Sequence, residues 1–134
     1  IDPDLLAKAR GTTDSERFFL LVLNRMRTTD PATALLESAA EVRAKADTVS
    51  SLNCLLLTDE ALYGYSYHDP ESSVMSRRGP GFFSLSYRVY DDRVLIASSG
   101  WPQPSPHWLP LEDTEVLEVR RRDLAVRRQI MTHG

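Results

Sequence analysis

The sequence predicts an α+β fold, and three observations carry that expectation. Two capped amphipathic segments come first, the hydrophobic period changes after Asp47, and three pairs of apolar stretches around turn residues follow. No internal repeat, low-complexity tract or linker divides the chain, so residues 1–134 are expected to belong to a single domain.

The first helix is signalled by Thr13-Asp14-Ser15-Glu16. This is capping-box spacing, with Thr13 placed to cap the helix and Glu16 to reach back to it. Phe19, Val22, Leu23 and Met26 then fall at i, i+3, i+4 and i+7, which predicts one apolar stripe. Thr28-Thr29-Asp30-Pro31 ends this helix and starts another. Asp30 is the expected N-cap, and Pro31 takes the first helical position, where a missing N–H costs nothing. The second helix is expected to turn Leu35, Ala39, Val42 and Ala46 to one face and to stay polar on the other.

Residues 52–57 and 61–67 are apolar and aromatic, and Thr58-Asp59-Glu60 reads as the turn between them. Residues 84–90 and 93–98 flank Asp91-Asp92, the clearest hairpin signal in the chain. Residues 116–121 and 125–131 form a third pair around Arg122-Asp123-Leu124. Three successive hairpins predict an antiparallel meander of about six strands. Two loops interrupt it. Residues 68–81 hold Pro70, Gly79, Pro80 and Gly81; residues 100–110 hold Pro102, Pro104, Pro106 and Pro110 with both tryptophans, Trp101 and Trp108.

Composition narrows the function classes. A 42% hydrophobic and 26% charged chain is ordinary for a globular protein, so disorder is not expected. No apolar run approaches the eighteen or so residues of a membrane span, and no basic segment leads into an apolar one as in a signal peptide. A formal charge of −3 argues against a general grip on nucleic acid or on an anionic membrane. The lone cysteine, Cys54, excludes an internal disulfide and fits a reducing, cytoplasmic setting. The chain opens on Ile1-Asp2-Pro3 without a methionine, so an upstream portion is expected.

Gly11-Thr12-Thr13-Asp14-Ser15-Glu16 with the apolar helix 18–26 resembles the segment that completes the glutamine pocket of class II glutamine amidotransferases. The order of the rest agrees. A second helix is followed by strand 52–57 with its acidic turn and by Val94-Leu95-Ile96-Ala97-Ser98. Then come the loop ending Trp108-Leu109-Pro110-Leu111 and the strand Glu115-Val116-Leu117-Glu118-Val119. Over residues 10–131 the chain is similar to small, stand-alone bacterial members of that family and to γ-glutamyl amidohydrolases.

The resemblance implies the C-terminal half of an αββα four-layer sandwich of the N-terminal-nucleophile hydrolase type. It implies that Asp14 contacts the α-amino group of a bound glutamine or γ-glutamyl compound, with Thr13 capping the helix beside it. The family's nucleophilic cysteine, its carboxylate-holding arginine and its Asn-Gly oxyanion pair lie upstream of this segment. No catalytic residue is therefore expected within the chain, no cofactor or metal is implied, and the N-terminal half is expected as a partner in cis or in trans. Ser99 stands where the family tends to have a glutamate. Neither nucleic acid nor membrane is an expected partner, and a homo-oligomer is compatible with the pattern. The alternative is a non-catalytic α+β binding or assembly module.

Other residues invite chemistry less strongly. Cys54 has no basic neighbour in sequence and reads as core. His68, His107 and His133 show no metal-ligand spacing. Arg120, Arg121, Arg122, Arg127 and Arg128 form a local basic patch, read as an interface with the missing half or a second subunit. Trp101 and Trp108 either frame an acceptor pocket or staple their loop to the sheet.

Overall fold

In a computed structural model, the residues described are 3–7, 14–45, 52–67, 85–98, 108–112 and 114–130. They fall into two compact units, Ile1–Asp47 and Thr48–Gly134, which are considered separately. The α+β class is as expected: helices fill the first unit and antiparallel sheets the second.

The helical unit holds α1 (Pro3–Leu6), α2 (Asp14–Arg25) and α3 (Pro31–Lys45). Helix α2 begins at Asp14, where the capping signal put it; Thr13 lies outside the described residues. The expected apolar stripe on α2 is corrected in part. Val22 is buried and Leu23 and Met26 are half-buried, but Phe19 is 46% exposed while Leu20, off the stripe, is buried. Residues 18–23 are all apolar, so periodicity alone did not select the face.

At α3 the expected cap is present. The Thr33 amide donates to Asp30 Oδ2 at 3.2 Å, and the Thr33 hydroxyl donates to Oδ1 at 2.7 Å. The buried surface of α3 is broader than the single face expected, since Ala32, Ala34, Leu35, Leu36, Ser38 and Ala39 are all buried. Four of these are alanine or serine, small side chains that are enclosed wherever other chain segments come close. Val42 is half-buried, and Ala46 lies outside the described residues. Arg25 of α2 pairs with Glu41 and, at 3.4 Å, with Glu37 of α3, while Lys45 reaches Glu41 at 2.6 Å. The Lys45 hydrogen bond, then that of Arg25, holds the Glu41 carboxyl below its ordinary range. These pairs, exposed or partly so, contribute about 0–1 kcal/mol each.

The second unit contains the three expected hairpins. Strand β1 (Cys54–Leu57) pairs antiparallel with β2 (Ala61–Ser66), β3 (Leu85–Val89) with β4 (Val94–Ser98), and β6 (Glu115–Arg120) with β7 (Val126–Ile130). A short strand within the second loop, β5 (Leu109–Pro110), was not expected from sequence. The hairpins are divided between two sheets, ordered β1-β2-β6-β7 and β4-β3-β5. Strand β2 thus takes β6, not β3, as its second neighbour, with Ala61 opposite Arg120 and Ser66 opposite Glu115.

Strand alternation gives each sheet an inner face. Leu117 and Val119 of the larger sheet form one buried cluster with Leu85, Tyr87 and Leu111, and Val94, Ile96, Leu124 and Val126 pack around it. Each Leu or Val enclosed there contributes about 1.5–3 kcal/mol relative to exposure. Ile96 of β4 and Leu55 of β1 pack around Gly64, with Ile96 Cδ1 3.4 Å and Leu55 Cδ2 3.5 Å from where a Cβ would stand, an ordinary van der Waals separation. Leu124, in the β6–β7 turn, holds a left-handed φ of 59°. That conformation costs a non-glycine residue about 1–2 kcal/mol, and packing of its side chain against the core offsets the cost.

The cap on α3 generates a prediction. Asp30→Ala should destabilise the protein by about 1 kcal/mol in chemical denaturation. The Thr33 hydroxyl bond, outweighing desolvation, lowers the Asp30 pKa below its ordinary 3.8. This contribution is therefore complete above about pH 4 and is lost as pH falls through the lower folded value. The gap between wild type and Asp30→Ala should close in that acid window.

Candidate functional site

Asp14, the residue expected to meet a substrate ammonium, is the first residue of the twelve-residue helix α2. A helix start exposes unpaired backbone N–H groups and carries about half a positive charge, which favours an ionised carboxylate there. The sequence reading and the fold agree on this placement, which rests on backbone position.

The sheets position a second group of polar residues that sequence reasoning passed over. Glu115, only 2% exposed, accepts two hydrogen bonds from the Arg128 guanidinium, at 2.5 Å from Nε and 2.7 Å from Nη2. The Glu112 amide donates to the same carboxylate at 2.8 Å. Arg128 Nη2 also lies 3.4 Å from the Pro110 carbonyl, and its guanidinium sits 5.7 Å from the Tyr87 ring centre. The Glu115 hydrogen bonds raise the Arg128 pKa further above its already high value, so this cation does not titrate. Arg128 belonged to the expected basic patch, but its charge is consumed internally. Glu115 bore no recognisable signal, because a glutamate at a strand start is ordinary until its burial is known.

The rest of the patch is placed at one end of the larger sheet. There the turns β1–β2 and β6–β7 meet, joined by the Arg121 amide donating to the Glu60 carbonyl at 2.8 Å. An open groove of about 680 Å³ lies there, bordered by Arg120, Arg121 and Arg122 and equally by Asp59, Glu60 and Glu118. Three cations against three carboxylates leave no net field to concentrate an anion. Arg127 is exposed on β7.

Cys54 opens β1, and burial pushes its thiol up to about 11. This suits a packed side chain and opposes nucleophilic use, which requires thiolate. Trp108 is half-buried just before β5; Trp101, Ser99, His68, His107 and His133 lie outside the described residues. Among the described residues no group of three or more His, Cys, Asp or Glu is arranged to hold a metal, and no helix is long and apolar enough to cross a membrane.

No protein-family model matches the chain, and no curated protein matches it. Among solved structures, it is similar to a glutamine aminotransferase class-II domain protein from Silicibacter pomeroyi, with a TM-score of 0.69 and 24% sequence identity. The similarity covers 98% of this chain and 58% of that one. At this identity the likeness shows the fold, and this chain spans little more than half the length of that structure.

Two predictions arise from these side chains. Arg128→Met, which strands a buried carboxylate, should lower stability by about 3 kcal/mol. Glu115→Gln, which keeps an acceptor for the Glu112 amide, should cost closer to ~1 kcal/mol; equal losses in denaturant titrations would contradict the pairing. For Cys54, only about one thiol in a thousand is ionised at pH 8 when the pKa is near 11. Iodoacetamide should therefore label it at least about 100-fold more slowly in the native protein than in urea.

Proposed function

We propose that this chain is the C-terminal part of a glutamine amidotransferase or γ-glutamyl amidohydrolase, and that Asp14 binds the α-ammonium of its substrate. The observation that carries the reading is the Thr13–Glu16 sequence motif, whose Asp14 opens α2, in a fold shared with a class II domain protein. A carboxylate is the natural partner of a ligand ammonium, and a helix start holds it at a set position.

The chemistry belongs to a cysteine outside residues 1–134. Its sulfur attacks the side-chain amide carbon, the carbon–nitrogen bond breaks, and ammonia leaves with the added proton. Water or an acceptor amine or alcohol then attacks the thioester, releasing the γ-glutamyl product and regenerating the thiol. Within this scheme the chain supplies orientation: Asp14 fixes the amino end of the substrate, so that its amide reaches the nucleophile. Cys54 takes no part, given its suppressed ionisation.

The test is Asp14→Asn in the full-length protein. The amide keeps the size of the side chain while removing its charge, so folding should be unchanged by circular dichroism and thermal melting. A lost hydrogen bond between charged groups costs about 1.5–3 kcal/mol, hence roughly a 10- to 150-fold fall in kcat/KM for glutamine. Near-normal steady-state kinetics in a folded variant would sink the assignment of Asp14, whereas a full-length wild-type protein that does not turn over glutamine would favour a non-catalytic module.

A further inference from the structure

Two turns at one end of the larger sheet carry opposite charges, and each is fixed from within. In the β1–β2 turn the Thr58 hydroxyl oxygen accepts the amides of Glu60 and Ala61, at 3.3 and 3.1 Å. In the β6–β7 turn Asp123 Oδ1 accepts the Ala125 amide at 3.0 Å, and the Leu124 amide donates to the Arg120 carbonyl at 2.8 Å. The bond from the Arg121 amide to the Glu60 carbonyl then locks one turn to the other. All of these bonds use the backbone, Thr58 or Asp123. Among the described residues the side chains of Asp59, Glu60, Glu118 and Arg122 form no ion pair. The Arg121 guanidinium reaches only the Asp59 carbonyl, at 3.5 Å, and Arg120 lies 3.8 Å from Asp123 within its own turn.

Acidic and basic side chains thus border one groove of about 680 Å³ without neutralising each other. A net charge of zero gathers no simple ion, but two fixed regions of opposite sign orient a molecule that carries both signs. The floor of the groove is formed by Ala61 and Tyr63 of β2, only 3% and 6% exposed. Ala61 stands opposite Arg120 and Tyr63 opposite Glu118, so these four residues share one face of the sheet.

The length of the ligand follows from the topology. In the order β1-β2-β6-β7 the two turns are centred two strand spacings apart, on the order of 10 Å. A free amino acid has both charges on one carbon and does not span that gap, whereas three extended residues reach about 10 Å. We propose that this groove binds a zwitterion of about tripeptide length, with its ammonium at Asp59 and Glu60 and its carboxylate at Arg121 and Arg122. Glu118 and Arg120, both on β6 between the centres of the two turns, are left for polar groups in the middle of the ligand. The site lies within the second unit and uses neither Asp14 nor any glutamine chemistry.

Triglycine is the probe, titrated into the full-length protein and followed by amide chemical shifts. The signals of Ala61, Glu118 and Arg121 should move and saturate. N-acetyl-triglycine, which lacks the ammonium, and triglycine amide, which lacks the carboxylate, should each bind at least about 10-fold more weakly. Glu60→Gln and Arg122→Gln change exposed residues and should weaken triglycine by the same factor. Asp14→Asn should bind it as wild type does. Absence of saturation by about 10 mM overturns the proposal. So do equal affinities for the three peptides or unchanged binding in either groove variant. Loss of binding in Asp14→Asn overturns it too, by moving the peptide to the glutamine pocket.

Discussion

A buried carboxylate has to be paired, and the Glu115–Arg128 clamp is how the second unit meets that constraint. Glu115 is nearly inaccessible to water. Its charge is tolerable only because the guanidinium and the Glu112 amide supply donors at 2.5–2.8 Å. Those donors come from different places: Arg128 from β7, and Glu112 from the segment just after β5. The Arg128 contact to Pro110 reaches β5 itself. The ion pair itself joins β6 to β7 within the four-stranded sheet, and the Arg128 bond to Pro110 with the Glu112 amide links it to the end of β5 in the three-stranded sheet. Hydrophobic contact between Leu117, Val119, Leu85 and Tyr87 brings the sheets together without direction. The clamp adds the direction, since a bidentate pair tolerates little displacement.

The same clamp explains why one side of the sandwich is finished. Arg128 and Pro110 sit on the edge strands β7 and β5, where charge and proline discourage further pairing. At the opposite side β1 and β4 carry only neutral residues, and the interior-facing leucines of β1 remain in water.

Much of this was legible in the chain itself, for local reasons. Capping at Thr13–Glu16 and Asp30–Pro31 depends on residues within one helical turn, and both helices begin where those signals fall. The turns at Thr58–Glu60, Asp91-Asp92 and Arg122–Leu124 are equally local, so the three hairpins and their antiparallel sense could be read directly. Asp14 was legible as a candidate because its motif is contiguous. Local readings were ambiguous where the run of apolar residues 18–23 offered several faces, and there Phe19 proved exposed while Leu20 was buried in its place.

Tertiary structure alone decided how the hairpins combine. Pairing β2 with β6 joins residues 49 to 59 positions apart, from Ser66 with Glu115 to Ala61 with Arg120, and no local signal distinguishes that choice from pairing with β3. Leu124 shows the reason in miniature: a leucine disfavours left-handed φ, and packing of its half-buried side chain against the core adds to the bond from its amide to the Arg120 carbonyl in holding it there. The burial of Glu115 and the retirement of Arg128 from the basic patch have the same origin. What neighbouring residues dictate through backbone geometry and hydrogen bonding was present in the sequence; which surfaces meet, and so which charges are buried, arises only when distant segments compete to exclude water.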